Sequence, residues 1–103
     1  MSAASSFRVV EENGASTVFL TGDIDLERSP LARSTLLATV KKGKPVIVDL
    51  SQVEYMDSSG VASLVEAFQR ARAGKIEFSL QRVSDQVRKV LTLARLDKIF
   101  TIK

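Results

Sequence analysis

Residues 54–68 read EYMDSSGVASLVEAF. The chemistry is held at 57–60, where a carboxylate, two adjacent hydroxyls and a glycine run straight into an apolar pattern of helical spacing. A hydroxyl or carboxylate at a helix start accepts one of the orphan backbone N–H bonds of the first turn, so Asp57, Ser58 or Ser59 can each serve as N-cap. Gly60 leaves that turn unobstructed. An exposed serine at such a point is also accessible to a kinase. A phosphate placed there would meet free N–H groups and the positive end of the helix dipole, while Asp57 would oppose it by like-charge repulsion. In an interface the same phosphate adds about −1.5 to −2 units of charge, and with it repulsion and desolvation cost.

Nucleophilic catalysis by either serine fits poorly. The chain has no His and no Cys, which removes imidazole bases, thiolate nucleophiles and the commonest zinc ligand sets. A GxSxG elbow is missing, and no lysine lies near enough in sequence to complete a Ser-Lys pair. There is no Gly-rich phosphate loop. The sequence therefore predicts a binding protein with no enzymatic activity, no metal and no cofactor.

The elements that must position residues 57–60 follow from periodicity. FRVVEENGASTVFLTG alternates apolar and polar residues around Asn13-Gly14 and predicts a β-hairpin. RSPLARSTLLATVKKGKP predicts a helix with Ser29 as N-cap, Pro30 at the first helical position and Lys41, Lys42 and Gly43 at its close. PVIVDLSQV scarcely alternates, the pattern of a strand buried on both faces. After it comes a second helix with Val61, Leu64, Val65 and Phe68 at i, i+3, i+4 and i+7 and Gly74 near its end. KIEFSLQRV reads as a strand, Ser84 as the cap of a third helix with an apolar stripe of Val87, Val90, Leu91 and Ala94, and KIFTIK as a short final strand. Strands alternating with helices predict an α/β fold whose central sheet holds parallel pairs. If TVFLTG runs parallel to VIVDL, then Asp25 of TGDID and Asp57 leave the same edge of the sheet, where open α/β sheets place ligands.

Composition bounds the remaining classes. A length of 103 residues suits one domain, 1–103, with its core at about 7–102 and a flexible segment at 1–6. The net charge of +3 is unevenly spread: residues 1–68 carry six Lys/Arg against nine Asp/Glu, whereas residues 69–103 carry nine against three. The basic residues are scattered singly through amphipathic patterns, which predicts a solvated face and no direct nucleic-acid binding. No stretch approaches the roughly 20 apolar residues needed to cross a bilayer, and MSAASSF lacks the features of a signal peptide. The expectation is a cytoplasmic protein without membrane insertion.

TGDIDLERSP, VIVDLSQVEYMDSSGVASLVEAF and FSLQRVSDQVRKVLTLARLDKIF together resemble the STAS domain, and within it the bacterial anti-sigma factor antagonists. The resemblance covers about residues 7–102. It implies a central mixed β-sheet of four to five strands, covered by α-helices mainly on one face. It also implies partner switching: binding to an anti-sigma factor of the GHKL serine kinase type releases a sigma factor, phosphorylation of the first serine of the DSSG-like motif, here Ser58, ends binding, and a PP2C-type phosphatase restores it. On this resemblance Asp23, Asp25, Asp57, Ser58, Ser59 and Gly60 form the partner surface, and the free protein is a monomer. A second family member type, the STAS subunit of a Mla-type ABC lipid transporter, implies instead a transporter ATPase as partner, with the helix-start serine making contact without switching.

Overall fold

In the computed structural model, residues 7–103 are described and form five strands and three helices; the segment 1–6, expected to be flexible, lies outside the described residues. The strands are β1 (Arg8–Glu12), β2 (Ala15–Ile24), β3 (Val46–Met56), β4 (Phe78–Gln81) and β5 (Thr101–Ile102), and the helices are α1 (Ser29–Val40), α2 (Ser58–Ala73) and α3 (Asp85–Leu93). They make one sheet in the order β1-β2-β3-β4-β5. β1 and β2 pair antiparallel across a two-residue turn at Asn13-Gly14, and every later pair is parallel. The predicted α/β class, mixed sheet and hairpin are all present, and the short KIFTIK strand is the fifth member.

Side-chain alternation sorts the sheet into two faces. Val18 and Leu20 of β2, Val46, Val48 and Leu50 of β3, and Leu80 of β4 are all buried and join Leu36, Leu64, Val87 and Leu91 from the helices in a single core. The other face shows Thr17, Phe19, Thr21 and Ile47 half-buried, with two shallow hollows of about 340 and 360 Å³. The strand expected to be buried on both faces is therefore covered on one. The apolar run VIV misled because Ile47 lies on the open face, and Asp49 next to it in that row is buried through its own hydrogen bonds: it accepts from the Ser51 N–H and hydroxyl at 2.9 and 2.6 Å and from Gln81 at 2.8 Å. Burial raises the Asp49 pKa, but these bonds and the charge of Arg82 outweigh it and hold the carboxyl below its usual value.

β3 also runs farther than its apolar core suggests, to Met56, because two register irregularities against β2 keep it paired through Gly22↔Val53 and Ile24↔Met56. β4, in contrast, is limited to Phe78–Gln81. Arg82 follows with a positive φ of 54°, which takes the chain out of the extended conformation before Ser84 caps α3 by accepting from the Val87 N–H.

Ser29 is not the cap of α1. It is already helical and buried, Arg28 occupies the cap position, and no side chain of the cap residue bonds into the first turn. Asp25 does that work from three residues earlier: its carboxylate accepts from the Arg28 N–H at 3.1 Å and its carbonyl from the Ser29 N–H at 2.8 Å. Pro30 is tolerated because its missing N–H falls among the helix-start donors that have no intrahelical partner.

Leu64 is fully buried where α2 meets the sheet. Leu64→Ala is expected to lower the unfolding free energy by about 2–5 kcal/mol. In urea titration the midpoint should fall while the slope stays constant.

Candidate functional site

The carboxyl ends of β2 and β3 lie side by side, and the residues at stake leave them together. Asp23 pairs opposite Tyr55 and Ile24 opposite Met56. The Asp57 N–H then reaches the Ile24 carbonyl at 3.4 Å, so the β2–α1 loop and the start of α2 are joined by backbone. Asp25 and Asp57 share the sheet edge that the parallel topology demanded.

Three residues were open candidates for the α2 cap, and Asp57 is the one that holds it. Its φ and ψ of −104° and −171° are extended, and its Oδ1 accepts from the Ser59 and Gly60 N–H groups at 2.9 and 3.2 Å. The same oxygen accepts from the Ser59 hydroxyl at 2.6 Å. That hydroxyl bond, with the N–H groups of Gly60, Ser59 and Leu26 behind it, holds the Asp57 carboxyl below its ordinary value against the opposing effect of desolvation.

The two serines therefore differ although they are neighbours. Ser59 is half-buried and tied to Asp57. Ser58 is the first residue of α2, is exposed, and its hydroxyl has no hydrogen-bond partner among the described residues. A phosphate on Ser58 would not find the free N–H groups expected at a helix start, because Asp57 already takes those of Ser59 and Gly60. It would meet a carboxylate one residue away, whose charge opposes it.

Gly60 has a steric reason to be glycine. A Cβ at that position would lie 2.5 Å from the Ile24 carbonyl oxygen and 2.7 Å from Met56 Cγ; α2 can start this close to the sheet edge only without a side chain there.

Sequence reasoning overlooked Arg28. Its Nη1 donates to the carbonyls of Thr21 at 2.7 Å and Asp23 at 3.0 Å, and its guanidinium carbon sits 5.0 Å from the centre of the Phe7 ring. The arginine is thus a clamp that shapes the Asp23–Asp25 loop. Gly22 makes room for it: φ is +75°, and a Cβ would fall 2.7 Å from Nη1. The only hint in the sequence was a glycine interrupting a strand pattern shortly before an arginine. Gln86 was also overlooked; its Oε1 accepts from the Met56 N–H at 3.1 Å and links α3 to the end of β3.

Beside Ser59 a groove of about 250 Å³ runs between α1 and α2, lined by Ser29, Pro30, Ala62 and Ser63 and closed by a two-bond Arg33–Glu66 pair at 2.7 Å each. No group of three or more His, Cys, Asp or Glu suited to a metal occurs among the described residues, and no described helix is long and apolar enough to cross a membrane.

The STAS domain profile matches residues 6–103. The anti-sigma-B factor antagonist of Listeria monocytogenes is 33% identical over 84% of this chain and 76% of its own length. An anti-sigma factor antagonist of Mycobacterium paratuberculosis matches in structure with a TM-score of 0.82 at 28% identity, over 99% of this chain and 89% of that one. The anti-sigma factor antagonist SpoIIAA, solved unphosphorylated, shares the fold with a TM-score of 0.77 at 20% identity, over 95% and 88% of the two chains; the Bacillus protein in its phosphorylated form gives 0.72 at the same identity, over 95% and 91%.

Asp57→Ala should lower the Tm at neutral pH by about 4–8 °C, whereas Ser58→Ala should move it far less. The folded-state value of Asp57 lies below the ordinary 3.8, so its contribution is complete above that pH and is lost as pH falls through the lower folded value. Calorimetry from pH 7 to 2 should accordingly show the gap between wild type and Asp57→Ala closing at the acid end. Gly60→Ala should destabilise by about 1–3 kcal/mol in the same measurement.

Proposed function

The chain belongs to the STAS domain family, and on that footing we propose that it is an anti-sigma factor antagonist working by partner switching. The unmodified protein binds an anti-sigma factor that is also a serine kinase of the GHKL type, and so frees a sigma factor. Phosphorylation of Ser58 ends the binding, and a PP2C-type phosphatase restores it. The protein regulates by contact and catalyses nothing itself; it acts in the cytoplasm and is a monomer until it meets its partner.

The observation that carries this reading is the contrast between the two serines. Ser59 spends its hydroxyl on the Asp57 cap, whereas the exposed Ser58 hydroxyl is engaged by no described residue. The named relatives support the role, Listeria at 33% and Mycobacterium at 28% identity. A fold neighbour solved in both phosphorylated and unphosphorylated forms is consistent with a domain that carries the modification without changing architecture. Asp23, Asp25, Asp57 and Gly60 then belong to the partner surface through the loop and cap that present Ser58.

The physical effect of the phosphate is local repulsion. Its charge arrives beside Asp57 on an edge that also carries Asp23 and Asp25. A loss of about 4 kcal/mol in binding corresponds to roughly a thousandfold in affinity.

The test is a pull-down from native-cell lysate with unmodified protein, Ser58→Ala and Ser58-phosphorylated protein as parallel baits. Unmodified and Ser58→Ala baits should retain the anti-sigma factor kinase and the phosphorylated bait should lose it. Equal retention by all three would overturn the switch; retention of an ABC transporter ATPase by all three would reassign the chain to transporter assembly.

A further inference from the structure

Among the described residues four large apolar side chains are exposed: Leu26 at 77%, Tyr55 at 45%, Leu93 at 81% and Ile99 at 49%. Two of the four stand at the edge that presents Ser58. Tyr55 is the β3 partner of Asp23, and Leu26 follows Asp25 in the loop whose N–H supports the Asp57 carboxylate. Neither is needed by the core. An isolated exposed leucine needs no explanation, but a leucine and a tyrosine on one functional edge mark a place for contact.

Charge specifies what makes that contact. Asp23, paired opposite Tyr55, Glu54 next to Tyr55 and Glu27 next to Leu26 are all exposed, and none of them forms an ion pair among the described residues. Arg28, the cation in the same loop, donates to the carbonyls of Thr21 and Asp23 and forms no ion pair with these carboxylates. The edge therefore carries two exposed apolar side chains, each with a carboxylate beside it in the chain, and Asp23 opposite Tyr55 across the strands.

We propose that Leu26 and Tyr55 are the anchors by which this protein docks onto its partner, seated in an apolar recess rimmed by Lys and Arg on the anti-sigma factor. The inference rests on the function proposed above and adds the chemistry of the interface. Buried aromatic and aliphatic anchors carry most of the energy of such contacts, and rim charges set the rate of encounter. Ser58 is on this account a veto: its unmodified hydroxyl contributes little, whereas its phosphate would have to be desolvated and accommodated against an apolar recess, a cost that a basic rim already matched by the carboxylates does not offset.

The experiment uses the purified anti-sigma factor that the unmodified bait recovers, with binding rates followed by surface plasmon resonance. Leu26→Ser is expected to weaken binding about ten- to a hundredfold, mainly through faster dissociation. Leu93→Ser, an equally exposed leucine on α3, is the control and should bind like wild type. A combined Asp23→Asn, Glu27→Gln, Glu54→Gln variant should associate about tenfold more slowly at low salt, and the difference should shrink as salt is raised. If Leu26→Ser and Leu93→Ser bind alike, or if the neutralised rim associates at the wild-type rate, the docking inference is overturned while the antagonist role stands. If the unmodified bait recovers no anti-sigma factor, the role and the docking inference fall together.

Discussion

One carboxylate oxygen is the joint on which the functional edge depends. Asp57 Oδ1 gathers the Ser59 hydroxyl and the N–H groups of Ser59 and Gly60, while the Asp57 N–H reaches back to Ile24 at the end of β2. A strand end, a loop and a helix start are thereby fixed by a single residue. Because the cap is supplied by Asp57, neither serine is needed for it, and one of them is released from structural duty. Gly60 completes the arrangement by letting α2 begin against the Ile24 carbonyl.

Around this joint the division of labour is strict. The Arg28 clamp shapes the Asp23–Asp25 loop from beneath through backbone carbonyls, and Asp25 both starts α1 and forms part of the edge. Stability resides in the apolar face shared by β2, β3, β4 and the helices. A charge added to Ser58 therefore meets the Asp57 carboxylate before it meets the core.

Much of this was legible in the sequence. Periodicity located the three helices, the hairpin, and the meeting of Asp25 and Asp57 at one sheet edge, because those features follow from apolar spacing and the handedness of parallel crossovers. The details that escaped depended on partners far apart or on bonds that compete locally. Ser29 looked like a cap from spacing, yet Asp25 reaches forward to take the helix-start donors. Asp49 sat in an apolar run, and its burial is explained by Ser51 and Gln81, the latter 32 residues away. The choice among Asp57, Ser58 and Ser59 could not be read from residue type, since all three are good caps; backbone angles and one 2.6 Å hydroxyl bond separate them.

The half-exposed Tyr55 has a further consequence. The chain contains one tyrosine, five phenylalanines and no tryptophan, so its longest-wavelength ultraviolet absorption, and the fluorescence excited there, come from a single phenol ring standing outside the core. Its intrinsic fluorescence is a native reporter of events at the edge of the sheet, sensitive to a neighbouring dianion or an arriving protein surface and comparatively blind to rearrangements in the aliphatic interior.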